Sequence, residues 1–292
     1  MPLLPPRMRR LARRPHRVLA TAAYWMGRTR SEQPHVFIVG APRSGTTLLK
    51  SLLVAHSELA GSDYESTGIF GFRDLATYQL GELTKEQAQT IRREEPDVVA
   101  YYDRIARLLL ERAGGRRFVD KLQVQPYRLR FAASRFPAAT FVRIVRDGRD
   151  AYCSALRHPH VRQSRSAAAY ARYWRRTTAI PARVLPAGRL VTLRYEDLAA
   201  DADGTMRELM DLLGERFEPQ QIDPARFSKT TSITKREVHK NLGQAIGTRS
   251  AGRWRRELSD AGVQAFERHA GDALRRFGYD AADGAPATAV RA

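Results

Sequence analysis

The run VFIVGAPRSGTTLLKSLL, residues 36–53, constrains this chain more than any other stretch. HVFIVG (35–40) is short, apolar and β-branched and ends in glycine, which reads as a buried parallel strand. The segment from Thr46 to His56 then carries leucines at 48, 49, 52 and 53, the spacing of a helix face. Strand, glycine loop and helix in direct succession are the context of a phosphate-binding loop. The centre, Gly40 to Thr47, reads GAPRSGTT. It departs from G-x-x-x-x-G-K-[ST] at the lysine, where Thr46 stands.

That departure limits the chemistry. In a triphosphatase the loop lysine neutralises the β- and γ-phosphates, and the serine or threonine holds magnesium. Here the lysine is missing, and no apolar strand ends in a clean magnesium-binding Asp, so ATP hydrolysis is a poor fit. The remaining device is intact. Main-chain N–H groups of Arg43, Ser44, Gly45, Thr46 and Thr47 should converge at a helix N-terminus and bind an anion by geometry and dipole. The side chains of Arg43, Thr46 and Thr47 add a guanidinium and two hydroxyls. The expected ligand is a 5′-phosphate with less charge than a triphosphate and no need of a metal.

Further strands are expected at RRFVD (116–120), ATFVRIV (139–145) and RLVTLRY (189–195). Helices are expected at Val98 to Arg112, 128–136, Arg149 to Leu156, Ala167 to Ile180, Gly204 to Leu213 and Leu258 to Phe277. Residues 61–96 read as loop with short helices. Strands alternating with helices imply an α/β fold, a P-loop-type parallel sheet flanked by helices on both faces. The expected organisation is a basic N-terminal arm (1–34), one catalytic domain (35–280) and a small, polar, disordered tail (281–292).

A second anion site is suggested by FVRIVRDGRDAYCSAL, 141–156. Arg146 follows the clearest strand, and Ser154 lies in the next helix. An arginine at a strand end and a serine in the following helix can grip one phosphate. The alternative is an arginine paired with Asp147 or Asp150. Two phosphate sites at adjacent strand ends call for one ligand with two separate phosphates.

Charge and cysteine content narrow the classes less sharply. The net charge is +19, with eight arginines and no acid in residues 1–30. Such a surface draws polyanions without choosing among them. The acids in 60–120, and the lack of a helix-turn-helix or aromatic–basic platform, argue against nucleic acid. A single cysteine, Cys153, rules out an internal disulfide and fits a reducing, cytoplasmic setting. VLATAAYWM (18–26) is too short to span a bilayer. Two readings of the arm stand: a docked or frayed basic helix, or an arm on an anionic membrane with Leu19, Tyr24 and Trp25 below the headgroups. No zinc spacing or metal-ligand cluster is present in the sequence.

GAPRSGTTLL and VRDGRDAYCSAL resemble the 5′-phosphosulfate loop and the 3′-phosphate motif of sulfotransferases that use 3′-phosphoadenosine 5′-phosphosulfate (PAPS). The resemblance is to the bacterial branch, related to carbohydrate and tyrosylprotein sulfotransferases. It continues through FVDK (118–121), LRYEDLAADADGTMRELMDLLG (193–214) and GRWRREL (252–258), and covers roughly residues 35–277 in order. It implies PAPS as co-substrate, no metal, and transfer of a sulfuryl group to an alcohol. Lys121 resembles the lysine that stabilises the leaving oxygen. Some members place a histidine two residues after that lysine, where this chain has Gln123. Others use a glutamate in the loop after the first helix. Glu65 falls there, in GSDYESTGIF, with Asp63 as the nearer alternative. Gly252 and Trp254 match the G-x-W core of the loop that closes over the 3′-phosphate, with Arg249 and Ser250 as candidate contacts. Tyr195 and Glu196 match a motif that reads as structural. Phe70, Phe72, Tyr78, Tyr101 and Tyr102 are candidates for an acceptor pocket or for core. The expected acceptor is a small molecule, a carbohydrate or a glycolipid. The alternatives carried forward are a P-loop ATP-dependent kinase and a non-specific polyanion binder.

Overall fold

Val36–Gly40 forms β1, the middle strand of a five-stranded parallel sheet. In this computed structural model, residues 23–62, 83–123, 126–158, 161–180, 184–186, 188–227 and 246–279 are described. The other strands are β2 (Leu59–Ala60), β3 (Arg117–Gln123), β4 (Thr140–Val145) and β5 (Leu190–Arg194), in the order β2-β3-β1-β4-β5. Neighbouring β1 and β3 pair with Ile38 opposite Lys121, and β1 and β4 pair with Val36 opposite Thr140. Four of the five strands lie where the sequence places them. The two-residue β2 has too little periodicity to be read.

Both faces of the sheet are covered, and β1 shows how. Phe37 and Val39 join Phe118, Leu122 and Phe141 in a core beneath α3 (Val98–Ala113) and α4 (Pro126–Arg135). Alternate residues Val36 and Ile38 join Val119, Val142 and Ile144 on the other face. That second core is closed by α1 (Thr46–Val54), α7 (Tyr195–Ala200) and α8 (Ala202–Leu213). A strand buried on both faces reads as a continuous apolar run, which is what 35–40 is. A third cluster, at the strand ends, packs Ala41 and Val145 against α5 (Gly148–Leu156), α6 (Ala167–Thr178) and α9 (Asp260–Arg276). α2 (Lys85–Glu94) lies in the stretch read as loop with short helices, and begins with a capping box from Thr84 and Gln87. Among the described residues no helix is long and apolar enough to cross a membrane.

The membrane-lying reading of the arm is corrected for Tyr24 and Trp25. They are 7% and 4% exposed and belong to the core under α3 and α4. The Arg92 guanidinium sits 3.5 Å above the Tyr24 ring, and Trp25 packs against Phe131. The Thr29 N–H donates to Asp97 Oδ2 at 2.8 Å, and the Ser31 hydroxyl donates to Asp103. Both side chains carry a large apolar area, and here the protein core buries it. Tyr101 and Tyr102, candidates for an acceptor pocket, are also core, at 0% and 1% exposure. Phe70, Phe72, Tyr78 and the tail 281–292 lie outside the described residues, as do 1–22.

Docking of the arm gives a direct prediction. Trp25→Ala should lower unfolding free energy by about 3 kcal/mol, the cost of a large-to-small core change. Denaturant titration checks it; a loss below about 1 kcal/mol would mean that the arm is not anchored there.

Candidate functional site

The turn from β1 into α1 contains two left-handed residues, Arg43 at φ 69° and Gly45 at φ 97°. Arginine rarely adopts that conformation, so the surroundings must impose it. Two groups hold the turn from outside. The Tyr170 hydroxyl, on α6, donates to the Pro42 carbonyl at 2.6 Å. Arg146 Nη1 donates to the Arg43 carbonyl at 3.1 Å. Gly45 has a second reason to be glycine, since a Cβ there would lie 2.7 Å from Cδ2 of Tyr195. Tyr195 fills the gap behind the loop, and its ring also lies 4.5 Å from the Arg146 guanidinium.

Arg146 is the residue after β4, and it joins three segments. Its Nη2 donates to the Ser250 carbonyl at 2.5 Å, while its own carbonyl accepts from Trp174 Nε1 at 3.1 Å. The pairing with Asp147 or Asp150 that the sequence leaves open is not formed. Asp147 instead caps α5 through the Arg149 N–H and pairs with the Arg149 guanidinium at 2.8 Å. Asp150 accepts the main-chain N–H groups of Gly252 and Trp254 at 2.6 and 2.8 Å. Burial raises the Asp150 pKa, and these N–H bonds oppose that shift. Asp150 thus fastens the Gly252 loop to the helix that follows Arg146.

Arg43 reaches across to the second motif. Its Nε donates to Ser154 Oγ at 3.1 Å. Ser154 therefore meets the arginine of the first loop, a link between the two motifs that spacing along the chain does not reveal. On the other side of the loop, Lys121 Nζ donates to Thr47 Oγ1 at 3.0 Å. The structure thus brings Arg43, Thr47, Lys121, Arg146, Ser154 and Ser250 into one continuous set of contacts, with Gly252 tied to it through Asp150. Thr46 stands at the start of α1 with its methyl side toward Gly40, and Arg249 is exposed at the start of the Gly252 loop. Trp254 is buried, with the Arg149 guanidinium 3.7 Å from its ring centre, so it packs rather than facing a ligand. Glu196 accepts the Asp147 N–H and the Tyr279 hydroxyl, which makes it structural. Glu65 and Asp63 lie outside the described residues.

The electrostatics favour an anion. Burial lowers the Arg43 pKa, and the neighbouring Arg146 and Arg253 cations lower it further. Cations crowded this way gain from a negatively charged ligand. Two polar atoms await a partner in the same place. The Ser44 hydroxyl and Arg146 Nε are both buried without a hydrogen bond to the described residues. A buried polar group left unbonded is costly, so a ligand that bonds it gains. Arg253, Tyr170, Asp150 and Tyr195 are the contributors that sequence reasoning missed or left as structure. Asp150, Tyr195 and Arg253 lay in quoted motifs, Asp150 only as an alternative partner of Arg146, and Tyr170 lay outside them. Among the described residues, no group of three His, Cys, Asp or Glu side chains could hold a metal ion.

The loop geometry predicts a difference between two glycines. Gly45→Ala must place a side chain in the left-handed region, at about 1–2 kcal/mol, and must also displace Tyr195. Gly252, at φ 71°, would meet only the tip of Arg255. Gly252→Ala should therefore show the conformational loss alone in chemical denaturation, and Gly45→Ala clearly more. Equal losses would mean that Tyr195 does not wedge the loop.

Comparison with known proteins agrees with this geometry. Residues 34–219 match the model of the family described as "Sulfotransferase family". No curated protein matches the chain. Among solved structures, the sulfotransferase domain of the Synechococcus olefin synthase is similar, with a TM-score of 0.61 and 22% identity. The alignment covers 88% of this chain and 99% of that one. The sulfotransferase domain from the curacin biosynthetic pathway gives 0.56 at 17% identity, covering 86% of this chain and 99% of that one. A mouse sulfotransferase complexed with PAP gives 0.55 at 13% identity and covers 89% of each chain. With a family match over well more than half its length, this chain belongs to the sulfotransferase family.

Proposed function

We propose that the chain moves a sulfuryl group from PAPS to a hydroxyl of a small acceptor, with a carbohydrate or glycolipid preferred. One observation carries the reading. Arg146 bonds the main chain of both loops, while Arg43 spans from the first loop to Ser154 of the second motif. Two anion-binding loops joined this closely suit one ligand with two phosphates. The reading is supported by Ser44 Oγ and Arg146 Nε, which are buried and have no hydrogen-bond partner among the described residues. In this reading the N–H groups of 43–47, with Ser44 and Thr47, hold the 5′ side. Arg146, Ser154 and the Ser250–Gly252 turn hold the 3′ side, and Arg249 adds a cation at its mouth.

The donor, when bound, supplies an activated sulfuryl group on a phosphate leaving group. The chain's own tasks follow. Lys121 is 7% exposed and already bonded to Thr47 beside the loop, so its ammonium is placed to stabilise charge that develops on the leaving oxygen. Glu65 takes the acceptor's proton as the general base. Closely packed arginines bind phosphates without a divalent ion. The arginines of 1–22 offer contact to an anionic membrane surface, where a glycolipid acceptor would lie.

Isothermal calorimetry with adenosine 3′,5′-bisphosphate, with and without chelator, tests the donor site. The expected result is micromolar binding that chelator leaves unchanged. Tight ATP·Mg binding with none of the bisphosphate would favour a kinase instead. Arg146→Ala should weaken bisphosphate binding by about 2 kcal/mol, roughly thirtyfold, through loss of a charged hydrogen bond. Unchanged affinity would remove Arg146 from the 3′ side. Glu65→Gln should leave that binding intact and cut turnover on the order of a hundredfold. Turnover is read as transfer of labelled sulfate from PAPS into a cell extract, with mass spectrometry of the products to define the acceptor. Full activity of Glu65→Gln would move the base elsewhere.

A further inference from the structure

Below the anion loops lies a buried ion pair that the proposed reaction does not use. Lys50 on α1 and Asp120 on β3 are 1% and 0% exposed, and Lys50 Nζ lies 3.5 Å from Asp120 Oδ1. Desolvating two charges offsets most of their attraction, and a well-packed apolar pair of the same volume is often as stable. Stability alone is a weak reason for such a pair, so its bonds point to what it does. Lys50 Nζ donates to the Ser62 main-chain carbonyl at 2.6 Å. Asp120 Oδ1 accepts the Lys121 N–H at 2.8 Å, and Oδ2 accepts the Tyr102 hydroxyl at 3.2 Å.

These bonds sit where the sheet edge runs out. β2 pairs only with Arg117 and Phe118, so β3 continues past it to Lys121. Asp120 takes the Lys121 N–H just beyond that pairing. Gly61 presses against the same edge: a Cβ there would fall 2.5 Å from the Val119 carbonyl and 3.0 Å from Lys50 Cε. Ser62, 1% exposed, is the point from which the chain runs on to Glu65. Thr47 and Lys50 stand three apart on α1, hence on one face. That face therefore meets β3 twice, through Thr47 with Lys121 and through Lys50 with Asp120.

We infer that Lys50 and Asp120 are positioning residues, which fix the chain's exit at Ser62 against the strand that carries Lys121. The pair sets the spacing between the phosphate loop, the lysine and the start of the segment bearing the base. This rests on the sulfotransferase reading for its catalytic consequence, though not for the positioning itself.

The test uses the full chain and the volume-conserving double variant Lys50→Met/Asp120→Asn, which leaves no lone buried charge. Lys50→Met alone, with Asp120 stranded, serves as the destabilised comparison. The double variant should melt near the native temperature and bind adenosine 3′,5′-bisphosphate within threefold of native. Its initial rate of labelled-sulfate transfer at saturating PAPS should fall at least tenfold. Hydrogen exchange of peptides covering 59–62 should quicken at least tenfold, while peptides from β1 stay unchanged. Failure of the native chain to bind the bisphosphate would sink the sulfotransferase reading, and the exchange result would still decide the positioning. Native-like exchange at 59–62 overturns the inference. So does a transfer rate within twofold of native, or one that falls only with the folded fraction.

Discussion

One guanidinium ties the site together. Arg146 spends its two terminal nitrogens on carbonyl oxygens of the protein, one in the β1–α1 turn and one in the Ser250 turn. Its Nε is buried with no hydrogen-bond partner among the described residues. A residue that merely neutralised a phosphate would not need to organise main chain. This one fixes two loops that are more than a hundred residues from it in sequence, and so sets the spacing between them. The left-handed Arg43, the wedge of Tyr195 behind Gly45 and the Tyr170 bond to Pro42 all serve the same arrangement. Arginine suits the task because its planar fork reaches several acceptors at fixed angles, which an ammonium cannot do.

Acids near the site are occupied elsewhere. Asp147 is taken by Arg149 and the α5 cap, Asp150 by two N–H groups of the Gly252 loop, and Glu196 by Asp147 and Tyr279. None of them forms an ion pair with Arg43 or Arg146. The cations keep their charge for a ligand, and burial makes their interaction with it stronger than it would be in water. The loop itself has no lysine. Lys121 arrives beside Thr47 from the neighbouring strand instead.

The architecture was largely legible in the sequence. A strand buried on both faces announces itself as an unbroken apolar run, and β1 and β4 do so. What stayed hidden has physical reasons. β2 is two residues long, too short for any period to register. Trp25 and Tyr24 were open between a docked or frayed helix and a membrane-lying arm, because hydrophobicity does not say which apolar surface receives a side chain. Tyr101 and Tyr102 were open between pocket and core for the same reason, and packing put them in the core.

From the sequence alone come the strand–loop–helix unit, the order of the motifs, the residue types at each anion site and the family they resemble. These are local facts, set by spacing and by what each side chain can bond. The tertiary structure alone decided which groups meet. It sent Arg43 to Ser154, left Asp147 to Arg149, gave Asp150 to the Gly252 loop and buried Lys50 against Asp120. Partners of that kind lie up to about a hundred residues apart. Only the folding of the sheet, which brings strand ends and distant loops to one edge, can choose between them.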